Sequence, residues 1–357
     1  MKAKFIMSVL FSLILAIVMG SGIAYAVEMP QLAIPASGAL FALSFVQIPQ
    51  LGGIAMVTVY REVWEKEITK SVDASLKDTF LDGIPDKSKY VTGDGEVYSI
   101  NSVYWDVEPD VLINNTTYPI EIQTLDGVPY AITLDKFQTK ATPITDDELF
   151  ALSYDKMGAV KTSHGNALVK NMLKKGIHSL APAGHTANTP VLLTTGAATA
   201  DGLRLRLKWD DIVALREAWT AAGFALEDLR LVLCQDHVND LLLADTAFQK
   251  SYADFKNGVI TNQLGFEMRE YAANPYFKVA DKTKLAFGGV VTSAYRQASV
   301  VFNKMLARKA NVPAKMYFSK AETDPLNQRN LVNFRNYNIV MPAQVREIGA
   351  IVSNIPG

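Results

Sequence analysis

The sequence is poor in the residues that carry redox and metal chemistry. Its 357 residues include one cysteine, Cys234, and four histidines, none of which has the spacing of paired metal ligands. A single cysteine excludes an internal disulfide framework and a cysteine-rich metal site. Cys234 follows the apolar stretch LRLVL, so we expect a buried, unreactive thiol and not a nucleophile. The sequence therefore predicts neither a metal nor a cofactor.

The motifs of common enzyme classes are also absent from the sequence. It contains no glycine-rich phosphate loop, no G-x-S-x-G elbow and no H-E-x-x-H. Two pairs of carboxylates, Asp146 with Asp147 and Asp210 with Asp211, stand at predicted helix starts. Helix capping accounts for such pairs better than acid–base catalysis does. We therefore predict that the protein is not an enzyme.

The net charge of the chain is close to zero. Its 35 lysines and arginines and 36 aspartates and glutamates leave a net charge of -1, so no global basic field indicates nucleic-acid binding. Hydrophobic residues make up 49% of the chain and charged residues 20%. A chain of this length and composition can bury one large core or two modest ones.

Residues 1–26 have the pattern of a secretory signal. Two lysines precede an almost wholly apolar run over residues 5–19, and residues 24–26 (Ala-Tyr-Ala) have the form of a cleavage site. The run is shorter than the ~20 residues of a membrane span. Residues 27–59 stay apolar and proline-punctuated, which favours an extended arm that needs a partner surface. Both interpretations stay open on the sequence.

The stretch from Thr145 to Gly176 is predicted to form one long helix. Thr145 and Glu148 match a capping box, and apolar side chains then recur at helical spacing as far as Leu173. Two lysines just before Gly176 are typical of a helix C-terminus. At 1.5 Å per residue such a helix would be about 45 Å long.

The chain before the long helix is predicted to be mostly β-structure. A short charged helix over residues 61–70 is followed by a turn-rich, exposed excursion over residues 80–95. Residues 96–142 contain the strand-like stretches VYSINSVYW, VLINNTTYPIEIQ and PYAITLDKF, with an Asp-Gly pair that favours a hairpin turn. These stretches have few long apolar runs, so they predict a long two-stranded arm.

A second unit is predicted after a linker-like stretch over residues 181–202, which is rich in Ala, Gly and Thr. The unit begins with an amphipathic helix from Trp209 to Ala222, a buried strand over residues 229–234 and a helix from Gln235 to Leu243. Further strands are expected around Gly265, and several short strands at the end of the chain are expected to return to the first unit. The alternation of strand and helix indicates an α/β layer.

Four blocks in the sequence are informative in combination: PDVLINNTTYPI, ITLDKFQTKATPITDDELFALSYDK, NQLGFEMREYAANPYF and KAETDPLNQRNLVNFRNYNIV. Together they resemble the major capsid proteins of tailed bacteriophages with the Hong Kong 97-type shell fold. The resemblance covers residues 55–353 and is nearest to the group from Bacteroidetes-infecting phages.

The resemblance implies an α+β fold with the domains of that family. They are a signal-like segment (1–26), an N-terminal arm (27–79), an extended β-hairpin loop (80–142), a peripheral domain with a long spine helix (143–200 and 304–357) and an axial domain (201–303). The signal-like segment departs from the family, because capsids assemble in the host cytoplasm.

The function that the resemblance implies is structural. The protein would self-assemble through hexamers and pentamers into an icosahedral virion shell that encloses double-stranded DNA without reading its sequence. Cement and portal proteins would be further partners, and no membrane partner is expected. Two alternatives stay open: an encapsulin-like nanocompartment that holds protein cargo, and an exported β-rich binding protein, which only residues 1–26 favour.

The sequence and the resemblance together predict contacts between subunits. The apolar arm, including Phe41 and Phe45, is expected to bury its side chains against a neighbour. The predicted loop from Tyr90 to Asp135 contains no lysine, so we expect no covalent cross-link from a loop lysine of the kind that some relatives form. All charges in this loop are acidic, and the long helix is mainly basic. We therefore predict that the loop pairs with the helix of an adjacent subunit through Asp106, Glu108, Asp110, Lys161 and Lys170.

Overall fold

The structure, a computed structural model, describes most of the chain after residue 64. The described residues are 65–77, 79–94, 97–104, 111–116, 118–120, 128–145, 156–253, 259–321 and 326–356. The chain divides into Met1–Val63, which lies outside them, and Trp64–Gly357, the unit described below. Several predictions therefore fall outside the described residues. They concern the signal-like segment, Phe41 and Phe45 of the arm, the acidic residues Asp106, Glu108 and Asp110, and the pair Asp146 and Asp147.

The first part of the described chain contains two helices and five strands. Helix α1 covers residues 65–77, and a short 3-10 helix covers Ser88–Tyr90. The strands are β1 (Val91–Asp94), β2 (Val97–Tyr104), β3 (Val128–Thr133), β4 (Asp135–Gln138) and β5 (Thr142–Thr145). The long helix α2 (Lys156–Leu180) follows.

The rest of the described chain alternates helices with strands and then becomes all β. Its first elements are β6 (Val191–Leu193), α3 (Trp209–Ala221), β7 (Leu229–Leu233), α4 (Gln235–Ala244) and α5 (Thr246–Ala253). Short strands follow as β8 (Val259–Gln263), β9 (Phe266–Glu270), β10 (Tyr276–Lys278) and β11 (Thr283–Lys284). The last strands are β12 (Tyr295–Asn303), β13 (Ala307–Ser319), β14 (Arg329–Pro342) and β15 (Ile348–Val352).

The strands form three sheets. A three-stranded antiparallel sheet has the order β1-β2-β3. A four-stranded sheet has the order β13-β14-β4, and β5 also pairs with β14. An eight-stranded sheet has the order β11-β10-β12-β7-β9-β8, and β15 joins it between β12 and β6. Its two parallel pairs are β7 with β9 and β6 with β15.

Two clusters of buried apolar side chains lie against the larger sheets. In the first, the apolar face of α2, including Met172 and Ile177, packs with residues of β14 such as Phe334. In the second, Trp219 of α3 and Leu241 of α4 pack with side chains of β7 and β9. Among the residues that the structure describes, no helix is both long and apolar enough to cross a lipid bilayer.

The long helix extends beyond its predicted C-terminal end. Thr145, the residue predicted to cap its N-terminus, is the last residue of β5 and pairs with Arg329 of β14. Residues 146–155 lie outside the described residues, so the predicted cap and start of the helix stay a prediction. At the other end α2 continues four residues past Gly176 to Leu180, and its 25 residues span about 37 Å. A Cβ atom at Gly176 would lie 3.4 Å from the side chain of Val340. Gly176 therefore lies against β14 within the helix and does not end it.

Three stretches differ from their predicted structure. The predicted excursion over residues 80–95 is exposed at residues such as Asp82 and Tyr90, but Phe80, Leu81 and Ile84 at its start are buried. The predicted linker contains β6, which pairs with β15 inside the eight-stranded sheet. The final segment has two long strands and not several short ones, and its last strand, β15, joins the eight-stranded sheet. Such pairings depend on distant residues, which local composition does not report.

Other predicted elements are confirmed. The helix predicted from Trp209 ends at Ala221, and Gly223 follows it with a φ of +77°. The buried strand predicted over residues 229–234 is β7, and the next helix is α4. The strands expected around Gly265 are β8 and β9, which pair antiparallel. The short charged helix is also present, although α1 runs on to residue 77.

Candidate assembly surfaces

A β arm formed by β2 and β3 leads through Leu134 into β4 of the four-stranded sheet. In it, β2 and β3 pair antiparallel from Ser99 opposite Thr133 as far as Tyr104 opposite Val128. The base of the arm is fixed where it meets β14: the amide of Leu134 donates to the carbonyl of Tyr98 over 2.9 Å, and Leu134 is buried. The ring of Tyr98 lies 4.6 Å from the ring of Tyr337. The predicted arm is therefore present, with β1 as a third strand beside it.

The segment between β2 and β3 exposes large apolar side chains. Five of them fall between residues 111 and 120, with exposed fractions from 55% to 83%: Val111, Leu112, Ile113, Tyr118 and Ile120. The prediction of a strand here is wrong for the described residues, which are bends and coil. Exposed apolar groups clustered in one segment mark an interaction site. We call residues 111–120 the apolar segment.

The exposed face of α2 is polar and lacks acidic residues. The helix contains five lysines and no aspartate or glutamate. Of the two lysines predicted to contact a neighbouring subunit, Lys170 is exposed. The Nζ atom of Lys161 lies 2.7 Å from a carboxylate oxygen of Glu67 on α1 of the same chain. Lys161 therefore already has an ion-pair partner, which the sequence did not reveal.

A groove of about 620 Å³ runs between β4 and α2. Its cations are Lys136 and Lys140 from the β4 side and Lys175 from α2, and Asp135 is the acidic residue among its lining side chains. Apolar groups also line it: Phe137, Ala167, Leu168 and Phe287. The groove thus combines apolar surface with a positive charge.

The imidazole of His164 forms part of the wall of this groove. Its ring nitrogens are hydrogen-bonded to the hydroxyls of Thr139 (2.8 Å) and Thr142 (2.9 Å), which join α2 to the chain between β4 and β5. Burial lowers the pKa of His164, so its ring is neutral at pH 7 and the positive charge of the groove comes from lysines. The alternation of exposed polar residues at Lys136 and Gln138 of β4 and at Lys140 just after it was the available signal for this groove in the sequence.

The buried polar groups of the second core have structural partners. Asp211 accepts hydrogen bonds from the backbone amide of Lys208 and from the amide and hydroxyl of Thr195, which confirms its predicted capping role. Burial raises the pKa of Cys234 to about 12, which confirms an unreactive thiol. Within the described ranges, no group of three or more His, Cys, Asp or Glu side chains has the arrangement of a metal site.

The structure does not test the predicted contacts between subunits. Lys161 and Lys170 lie on α2, but the acidic residues and the two phenylalanines predicted to meet a neighbour are outside the described residues. What the structure adds is the apolar segment on the arm and the basic groove beside α2. Neither was identified from the sequence, because exposure and groove shape depend on the tertiary structure.

Comparison with known proteins shows similarity in structure without detectable similarity to a family. No protein-family model and no curated protein matches the sequence. The capsid of cyanophage P-SCSP1u matches with a TM-score of 0.52 at 15% identity, over 75% of this chain and 86% of that chain. The capsid of Ralstonia phage GP4 matches with a TM-score of 0.52 at 10% identity, over 78% and 88%.

A third match comes from a related particle. The capsid of an empty GTA particle matches with a TM-score of 0.51 at 11% identity, over 76% of this chain and 88% of that chain. At these identities the likeness establishes the fold alone. The extended arm, the long helix α2 on a sheet of long strands and the separate eight-stranded sheet give the chain the Hong Kong 97-type fold of tailed-phage capsid proteins.

Proposed function

We propose that this protein is the major subunit of an icosahedral shell that encloses double-stranded phage DNA. The main support for the proposal is that the apolar segment on the arm of a Hong Kong 97-type fold is exposed in the single subunit. Burying each of its large side chains is worth about 1.5–3 kcal/mol. A subunit whose arm must be covered by another copy is suited to a shell closed by repeated head-to-tail contacts.

The wider setting follows from that role. The subunits form hexamers and pentamers, the shell is part of the virion, and assembly takes place in the host cytoplasm. Cement and portal proteins are further partners. The division into peripheral and axial domains assigns residues 143–200 with 304–357 to the first and residues 201–303 to the second. The near-zero net charge supports enclosure of DNA without sequence-specific binding.

Electron microscopy of the purified full chain tests the shell directly. We expect closed icosahedral particles, with nuclease-resistant double-stranded DNA inside those taken from infected cells. Small closed particles filled with protein would instead indicate a nanocompartment. The absence of particles at any protein concentration or salt would contradict the proposal. A denaturing gel of the particles should show mainly monomer, because the loop from Tyr90 to Asp135 has no lysine to form a cross-link.

We further propose that the arm of one subunit lies over α2 and its groove on a neighbour. The acidic residues Asp106, Glu108 and Asp110 face Lys170 and the groove lysines, and the apolar segment contacts the apolar lining. Because Lys161 already forms an ion pair with Glu67 of its own chain, it contributes less than Lys170 to the attraction between the subunits. Each exposed pair is worth about 0–1 kcal/mol, so the charges act mainly on the rate and register of assembly.

Charge reversal tests this contact. The triple variant D106K/E108K/D110K should assemble at least about tenfold more slowly at low salt, and the difference should shrink above ~0.15 M, where screening acts within about 8 Å. Adding K136E and K170E should restore the rate. The matched control adds K250E, which reverses the charge of an exposed lysine on α5, and should not restore the assembly rate. Normal assembly of the triple variant would contradict the contact.

A further inference from the structure

Strand β13 lies at an edge of the four-stranded sheet. The order of that sheet is β13-β14-β4, so β14 pairs with one side of β13 and no described strand pairs with the other. At 13 residues it is long for an edge strand. The outer N–H and C=O groups of such a strand can pair with a strand of another chain unless something covers them.

The segment formed by residues 65–88 covers this edge, and we call it the strap. Five polar backbone groups on the outer side of β13 are bonded to the strap, three of them by side-chain oxygens. Lys309 N donates to Pro85 O (3.1 Å), Lys309 O accepts from Lys87 N (2.8 Å), Asn311 N donates to Ser88 Oγ (2.9 Å), Ala314 N to Thr69 Oγ1 (3.2 Å) and Met316 N to Glu65 Oε1 (2.9 Å).

The strap is anchored in the core by its apolar side chains. Ile68 and Val72 of α1 and Phe80, Leu81 and Ile84 of the following turn are exposed by 4% or less. They belong to the same cluster as the apolar face of α2. The strap is therefore a packed part of the fold and holds its acceptors at fixed positions along β13.

Basic side chains from two sheets bind the turn of the strap. Four successive carbonyls accept hydrogen bonds from three cations. Arg269 donates to Thr79 O (2.9 Å), Arg230 to Phe80 O (2.8 Å) and to Asp82 O, and Lys309 to Leu81 O (3.0 Å). Glu267 forms an ion pair with each arginine over 2.7 Å, and Asp82 lies 3.8 Å from Arg269. The strap is thus tied to β7 and β9 as well as to β13.

Strand β13 itself carries further features that oppose pairing with another strand. Pro313 has no N–H to donate. The register with β14 shifts between Val312 and Lys315, so the strand is irregular at its centre. Besides the Lys309 N–H, which donates to the Pro85 carbonyl, the donors bonded to the strap on the outer side are the N–H groups of Asn311, Ala314 and Met316. Each of these three is bonded to a side chain of the strap.

We propose that the strap is an edge guard that prevents β13 from pairing with β13 of a second copy. The second copy is the partner of choice because the same edge, turned about a two-fold axis, runs antiparallel to itself and presents matching donors and acceptors. The guard thereby restricts self-association to other surfaces. This inference concerns the edge alone and holds whether or not the protein forms a shell.

Removing the acceptors while keeping the helix tests the guard. In the variant E65A/T69A the N–H groups of Ala314 and Met316 lose their partners, and alanine preserves helix propensity. The matched control E65Q/T69S changes the same two positions but keeps an acceptor oxygen at each. Its E65Q change also removes the negative charge of Glu65, as E65A does. Both are made in the full chain and compared by sedimentation velocity at the concentrations where the parent remains unassembled.

If the strap guards the edge, E65A/T69A should form dimers at concentrations at least about tenfold below those at which the control or the parent associates. The Met316 amide should exchange hydrogen faster in the monomeric variant and become protected in the dimer. If E65A/T69A fails to fold, S88A, which opens only the Asn311 N–H, replaces it with the same expected direction. Equal association of variant and control, or no association of either, would overturn the proposal.

Discussion

His237 makes the stability of the fold depend on pH. Its side chain is fully buried, and its ring nitrogens are hydrogen-bonded to the hydroxyls of Ser299 (2.6 Å) and Ser353 (2.9 Å). Burial lowers its pKa to about 4; nearby Asp240 opposes this shift and Arg204 adds to it. The imidazole is therefore neutral in the folded protein at pH 7 and joins α4 to β12 and to the residue after β15.

The expected loss of stability follows from the two pKa values. The unfolded chain binds a proton at His237 with a pKa of about 6.5 and the folded chain with a pKa of about 4, so the unfolded state holds more protons between these values. Stability contributed by this group is complete above pH 6.5 and falls as the pH drops toward 4. The full loss is about 3 kcal/mol, since each pKa unit corresponds to about 1.4 kcal/mol.

Urea unfolding of the parent and of H237Q at pH 7 and pH 4 measures this contribution. Glutamine can still hydrogen-bond to the two serines but does not titrate in this range. Carboxylates and other histidines change the stability of both proteins, so the difference between their pH dependences isolates His237. The parent should lose about 3 kcal/mol more than H237Q over this interval. If both lose the same stability, the reasoning from burial is refuted.

Three substitutions test other features of the fold by thermal melting. E267Q removes the carboxylate that pairs with the buried guanidinium groups of Arg230 and Arg269, and Arg269 keeps its pair with Asp82 at 3.8 Å. The change should cost about 3 kcal/mol, which lowers Tm by about 6–12 °C; an unchanged Tm would show that the cluster stabilises nothing. G165A should raise stability by about 0.5–1 kcal/mol, because no other atom lies within 4 Å of the new methyl group in α2. G196A should instead cost about 1–3 kcal/mol, because its Cβ would lie 2.3 Å from a backbone oxygen; equal effects of the two glycine changes would contradict the packing described here.

Elements whose signals are local could be predicted from the sequence. The apolar run of β7 and the amphipathic period of α3 are written in consecutive residues, and Gly223 has the positive φ that ends α3. The turn between β8 and β9 has positive φ at Leu264 and Gly265, and the glycine marked it. The combination of blocks that resembles capsid proteins also predicted the fold that the structural comparison found.

Elements that depend on distant partners could not be predicted in this way. Thr145 has the sequence environment of a helix cap, but pairing with Arg329 of β14 places it in a strand. The candidate assembly surface on the arm could not be predicted either, for the same reason. The sequence of the apolar segment predicts a strand because its residues have high β propensity. In the structure its described residues pair with no described strand, and their large apolar side chains are exposed.

The sequence by itself determined α3, β7 and α4, the acidic character of the arm and the basic character of α2, because periodicity and charge are properties of neighbouring residues. Only the tertiary structure decided that Phe80, Leu81 and Ile84 of the turn at residues 79–84 are buried and that the strap covers β13. The turn has the same Asp-Gly and Ile-Pro signals that an exposed loop would have. Its carbonyls are satisfied by cations 148 or more positions away in the chain, and Glu65 meets Met316 across 251 positions. A local sequence pattern does not identify such partners. Whether a polar backbone group can be buried depends on the hydrogen-bond partners that the tertiary structure places next to it.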